Sequence, residues 1–139
     1  MKKIAIADHL FIVREPLSQS RLLGNQCRKC GEVFLGKRFS CENCGARQME
    51  EKELSTKGKL YSFTIQRYRP PGDYKGPTDP FVPFPVGLVE LPEGLRILAV
   101  LKDVEKPKIG MELEVVFEKI FSNAEGDEVI GYKFRPTKV

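Results

Sequence analysis

Apolar and polar residues alternate most regularly in the second half of the chain. Over residues 60–68, Tyr61, Phe63 and Ile65 alternate with mostly polar neighbours, the period of two expected of a strand with one buried face. These three side chains are therefore expected to face a core. Two apolar runs at 85–91 and 96–101, joined by the turn-forming Pro92-Glu93-Gly94, read as a hairpin. Within 111–120, Leu113, Val115 and Phe117 alternate with Glu112, Glu114, Val116 and Glu118, and Glu125-Gly126-Asp127 supplies a turn before 129–134. Five strands at this spacing, with no convincing helix between them, predict a small closed or nearly closed antiparallel barrel.

Residues 70–85 break the pattern, with Pro70, Pro71, Pro77, Pro80, Pro83 and Pro85 alongside Phe81 and Phe84. Each proline lacks a ladder donor, so the segment reads as a loop. It is either a stiff connector whose phenylalanines cap an open barrel end, or a loop that binds a partner or covers a ligand, with Phe81 and Phe84 as the contact residues. At the other end, residues 1–24 read as a short helical segment divided at Pro16, with 17–23 the better candidate and Gly24 its stop.

Between these parts lie all four cysteines, as Cys27-Arg28-Lys29-Cys30-Gly31 and Cys41-Glu42-Asn43-Cys44-Gly45, a C-x2-C-x10-C-x2-C arrangement. Two residues between thiolates let one tight turn present both sulfurs to the same ion, and the following glycine accepts the backbone conformation such a turn requires. Two such turns make a tetrahedral site for one structural zinc ion, with iron as the alternative for the same ligands. With every position filled by protein, no open site remains for water or substrate. Paired disulfides would need an oxidising compartment, and a redox pair needs only one such motif. The organisation predicted is thus a helical segment at 1–24, a metal ribbon at 25–57 and a barrel at 58–139.

Charge sharpens the picture. Residues 1–57 carry 11 Lys or Arg against 7 Asp or Glu, and residues 58–139 carry 12 against 12, so the net charge of +4 belongs to the first part. A balanced barrel lacks the basic surface usual in nucleic-acid binders. Asp8, His9 and Arg14 interrupt the apolar start, which argues against a signal peptide, and no apolar run reaches the length of a membrane span. A cytoplasmic protein is expected.

The strings Leu23-Gly24-Asn25-Gln26-Cys27, Gly58-Lys59-Leu60-Tyr61-Ser62-Phe63-Thr64, Ile109-Gly110-Met111 and Tyr132-Lys133-Phe134-Arg135-Pro136 occur in that order around the cysteines. From about residue 20 onward the chain resembles the DUF35 family of zinc-ribbon plus OB-fold proteins. The resemblance implies a rubredoxin-like ribbon, a C-terminal five-stranded OB-fold, and the role of an acyl-CoA-associated companion subunit. Its partner would be a thiolase-superfamily enzyme, a hydratase or an aldolase acting on CoA thioesters, and the companion would help to form the complex and guide the pantetheine arm. Many relatives begin with a longer aromatic-rich helix, whereas this chain has only Phe11 and a proline-broken segment. In that respect it looks more like the subunits that accompany thiolases.

The residues agree with a non-catalytic subunit. The four thiols are committed to metal, and the sole imidazole, His9, is read as a solvent-exposed side chain, leaving no nucleophile and base pair for acyl transfer. If CoA is contacted, its phosphates call for cations, for which Arg67, Arg69, Lys75, Lys133 and Arg135 are the candidates; they are expected to gather at one barrel end. Each is otherwise a solvated surface cation. The alternative function is a single-stranded nucleic-acid-binding module with Tyr61, Phe63 and Tyr68 as a stacking platform. A third possibility, an independent acyl-CoA hydrolase or transferase, would require turnover by the purified chain alone.

Overall fold

The computed structural model describes residues 2–72, 75, 76, 78 and 80–137. Its strands, in chain order, are β1 (Lys3–Ala5), β2 (Phe11–Ile12), β3 (Arg21–Cys27), β4 (Val33–Leu35), β5 (Met49–Glu53), β6 (Lys57–Gln66), β7 (Phe84–Glu90), β8 (Arg96–Val100), β9 (Glu112–Ser122) and β10 (Glu128–Pro136). Among the described residues there is no α-helix.

The alternating segments form a sheet in the order β1-β10-β9-β6-β7-β8, antiparallel except for β1 beside β10. The sheet closes on itself. Leu101 bridges Phe134 in parallel, and the Lys102 N–H donates to the Phe134 carbonyl at 2.7 Å, which joins the end of β8 to β10. The result is the expected five-stranded barrel of β6 to β10, with β1 added at its side. Inside lie Leu60, Val89, Ile97, Ala99, Leu113, Phe117, Ile130 and Phe134. Gly87 faces the same interior. A Cβ there would lie 2.7 Å from Leu60 Cδ1 and 2.8 Å from Leu101 Cδ2, so the close packing of β7 on its neighbours requires glycine.

The ribbon is built on β3, which pairs with β2 and β4 along one edge and with β5 along the other. Its apolar residues join the barrel's core rather than forming their own: Phe11, Leu22, Val33 and Leu54 belong to one cluster with the barrel interior. Phe11 makes the closest join, with its ring centroid 5.4 Å from Phe117 and 5.9 Å from Tyr132, two residues paired across β9 and β10. Buried Asn25 is satisfied, donating from Nδ2 to the Gly36 carbonyl at 2.9 Å.

Three expectations are corrected. The helix expected at 17–23 is a single 3-10 turn, Leu17–Gln19, followed by β3. Leu22 and Leu23 point to opposite faces of a strand, yet both are buried because β3 is packed on either side; two adjacent leucines then mimic a helical stripe. Secondly, Tyr61 and Phe63 are not core residues: they are 47% and 39% exposed, while Leu60 is buried. A register shift between Leu60 and Ser62 opposite β7 makes Tyr61 the extra residue of a bulge, while Phe63 lies opposite Gly87 and is only partly covered there. Thirdly, the proline-rich loop ends earlier than expected, since Phe84 and Pro85 already belong to β7. Pro77 lies outside the described residues.

Because Phe11 is shared between ribbon and barrel, Phe11→Ala is expected to destabilise the whole chain by about 3–5 kcal/mol. Urea unfolding followed by both intrinsic tyrosine fluorescence and far-UV circular dichroism checks this; separate, unshifted transitions for the two parts would refute the shared core.

Candidate metal centre and charged barrel surface

Each cysteine pair sits in the same local structure. The Gly31 N–H donates to the Cys27 carbonyl at 2.9 Å, and the Gly45 N–H donates to the Cys41 carbonyl at 2.8 Å. Both glycines have positive φ, +83° and +79°, where a side chain would be strained. Within each turn a backbone N–H points at the first sulfur: Cys30 N to Cys27 Sγ at 3.5 Å, and Cys44 N to Cys41 Sγ at 3.4 Å. The first knuckle grows out of β3 and the second follows the β4 loop, so the ribbon pairing brings two distant segments face to face.

The four sulfurs lie within 4.8 Å of one another, with Cys27 Sγ 3.6 Å from Cys44 Sγ and Cys30 Sγ 3.5 Å from Cys41 Sγ. These separations are far beyond a disulfide bond of about 2.05 Å. They match the edge of a tetrahedron of sulfurs about 2.3 Å from a central ion, roughly 3.8 Å. The backbone N–H of Cys30 holds the Cys27 thiol down to about 6. Cys30 is also lowered, by the Glu32 N–H and the Asn43 side chain. At Cys44 the Ala46 N–H favours the thiolate, but partial desolvation and the three neighbouring sulfurs outweigh it and push the thiol up to about 11. Four adjacent thiols cannot all ionise alone; a cation among them removes the conflict. The donor set and spacing therefore fit a structural metal ion.

The five cations do not gather at one barrel end. Arg67 and Arg69 are exposed on the loop after β6, where Arg69 reaches the Gly72 carbonyl, and Lys75 lies 4.8 Å over the Phe121 ring near the end of β9. Lys133 and Arg135 are on β10, and Arg135 sits opposite Glu114, which pairs with Lys57 at the start of β6. Both are engaged by carboxylates: Lys133 Nζ with Glu118 at 3.2 Å, and Arg135 Nη2 with Glu114 at 3.4 Å. Glu118 also takes Lys102 Nζ at 2.5 Å, which clamps the seam where β8 meets β10. Sequence reasoning missed Glu118, because nothing local marks a glutamate as the meeting point of three strands. It also missed a cleft of about 260 Å³ beside Arg135, to which Arg21 and Lys57 contribute from other elements. Phe81 and Phe84 pack against each other at a tilt of 54°, with centroids 6.1 Å apart and both residues half-buried. His9 is exposed, and no helix among the described residues is long and apolar enough to cross a membrane.

Residues 14–50 match the family model described as "ChsH2, rubredoxin-like zinc ribbon domain", and residues 51–118 match "ChsH2, C-terminal OB-fold domain". The chain is 42% identical over 120 residues to a DUF35 domain-containing scaffold protein of Pyrococcus furiosus, covering 84% of this chain and 83% of that one. It is 33% identical over 115 residues to the benzoylsuccinyl-CoA thiolase subunit BbsA of Thauera aromatica, covering 82% and 75%. A solved structure titled "Ltp2-ChsH2(DUF35) aldolase" superposes with a TM-score of 0.62 at 27% identity, covering 84% of each chain.

Two outcomes are expected. Cys41→Ser should abolish stoichiometric metal binding and melt the ribbon, read by elemental analysis and by loss of amide protection across residues 25–49 in hydrogen exchange. Glu118 is held below the ordinary carboxylate range: partial burial pushes it up, but Lys102 and Lys133 together outweigh that. Its contribution to stability is thus present above the unfolded-state value and is lost as pH falls through the depressed one. Urea midpoints taken from neutral pH to about pH 3 should fall less steeply for Glu118→Gln than for the wild type.

Proposed function

The chain belongs to the DUF35 family of zinc-ribbon and OB-fold proteins, and from that premise we propose that it is a non-catalytic subunit of a CoA-thioester enzyme complex, with a thiolase-superfamily catalytic partner. Similarity to a thiolase subunit across most of both chains carries the reading. The chemistry of this chain supports it. All four thiols converge on one point and the His9 imidazole is exposed, which agrees with a partner that supplies the acyl-transfer groups. Four sulfurs around one ion leave no position for substrate, so the ion's work is to hold the ribbon in shape. We assign that ion as zinc, because a filled d shell accepts the tetrahedron that the knuckles impose and brings no redox chemistry to a structural site.

A second reading, single-stranded nucleic-acid binding, gains something from the exposure of Tyr61, Phe63 and Tyr68. The Tyr61 face, however, is already covered by Arg96, whose Cζ lies 3.6 Å from the ring centroid.

Affinity purification from the native cell should retain a thiolase-superfamily subunit, identified by mass spectrometry, while the purified chain alone turns over no acyl-CoA. Elemental analysis should find one zinc per chain and no visible absorption of the iron–thiolate kind. Recovery of the chain without any CoA enzyme would remove the reading, and a salt-sensitive shift with single-stranded RNA would favour the second.

A further inference from the structure

We propose that the cysteine cluster is also a site of thiol–disulfide exchange, at which Cys44 attacks a low-molecular-weight disulfide and Cys27 completes the bridge, so that the ribbon releases its metal ion under oxidation. The inference rests on the metal–thiolate centre assigned above and is independent of the catalytic partner. Burial carries it. The first cysteines of the two knuckles, Cys27 and Cys41, are 1% and 2% exposed, whereas the second ones, Cys30 and Cys44, stand open to solvent. A dissolved disulfide can reach only the second pair. Each exposed sulfur accepts one backbone N–H, from Glu32 at Cys30 and from Ala46 at Cys44. Cys30 takes a further bond from Asn43 Nδ2 at 3.7 Å, and among the described residues no side-chain nitrogen does the same for Cys44. A hydrogen bond to a thiolate stabilises its charge and lowers its nucleophilicity, which leaves Cys44 the stronger attacking group.

The sulfur contacts decide the second step. Cys44 Sγ lies 3.6 Å from Cys27 Sγ and Cys30 Sγ lies 3.5 Å from Cys41 Sγ, so each exposed sulfur touches a buried one of the other knuckle. The Cys44 thiolate forms a bond to one sulfur of the small disulfide, whose S–S bond breaks and whose other half leaves as a thiolate. The Cys27 thiolate then attacks the Cys44 sulfur of this mixed disulfide, closes a Cys27 to Cys44 bridge and expels the remaining half as a second thiolate. The chain is oxidised by one electron pair, and the small disulfide is reduced by the same pair. A second equivalent joins Cys30 to Cys41 in the same way. Both bridges span the knuckles, so the ribbon stays tied while no thiolate remains to hold an ion. The barrel takes no part, since all four cysteines precede it and its interior is made of β6 to β10.

The test adds oxidised glutathione to the full zinc-loaded chain, with zinc release read by a chelating dye and adducts mapped by mass spectrometry. A substoichiometric amount should place the first glutathione on Cys44. An excess should empty the site as the Cys27 to Cys44 and Cys30 to Cys41 bridges form, at a rate proportional to the disulfide concentration, and dithiothreitol with zinc should restore the starting state. Asn43→Ala, at an exposed position, should raise the share of first adducts on Cys30 severalfold while leaving zinc content unchanged. A first adduct on Cys27, Cys30 or Cys41 in the wild type overturns the proposal. So do bridges confined to single knuckles, Cys27 to Cys30 and Cys41 to Cys44, or a release rate that ignores the disulfide and equals loss to the dye alone. Protein that holds no ion as isolated overturns the metal centre and this chemistry together, a result distinguishable from the others by elemental analysis before any oxidant is added.

Discussion

Four sulfurs held within 4.8 Å of one another cannot all carry charge without a cation among them, and the first half of this chain is organised around that constraint. Between residues 28 and 48 only Val33, Gly36 and Cys41 are buried, far too little apolar surface to order the segment against its conformational entropy. An ion takes the place of a core there. The two glycines with positive φ and the N–H groups aimed at Cys27 and Cys41 set out the sulfurs in advance, so ion binding and ribbon folding are one event.

The barrel needs no such help, and it extends stability to the ribbon through a shared interior. Phe11, Leu22, Val33 and Leu54 pack into the same cluster as the residues of β6 to β10. Gly24 allows this at one point: a Cβ there would fall 2.5 Å from Leu54 Cδ2, so a larger residue would have to displace the Leu54 side chain from its place in the core. A structure of this kind is well suited to scaffolding. Its two parts share one core and its four thiols are gathered in the ribbon, so its outer surfaces are available to another protein.

The charged residues divide along the same lines. Glu118 and Glu114 engage Lys133 and Arg135 on the barrel wall, and Glu118 also holds Lys102 across the closing seam, so these cations serve the fold. Arg67 and Arg69 stand on the loop after β6, away from that seam.

How much could be read from the chain alone follows from the range of each interaction. The thiolate pairs, the glycine behind each, the alternation at Leu113, Val115 and Phe117, and the turns at Gly94 and Gly126 are local matters of spacing and backbone conformation, so the metal ribbon and the barrel are legible in the sequence. Tertiary structure alone decided that Leu22 and Leu23 extend as a strand, because burial on both faces overrides a local helical pattern. It alone turned Tyr61 outward, because a bulge against β7 falls on that residue, and it left Phe63 partly uncovered opposite Gly87. It also separated the five cations and joined Glu118 to two of its lysines, since strand register over long sequence distances, not composition, sets which charges meet.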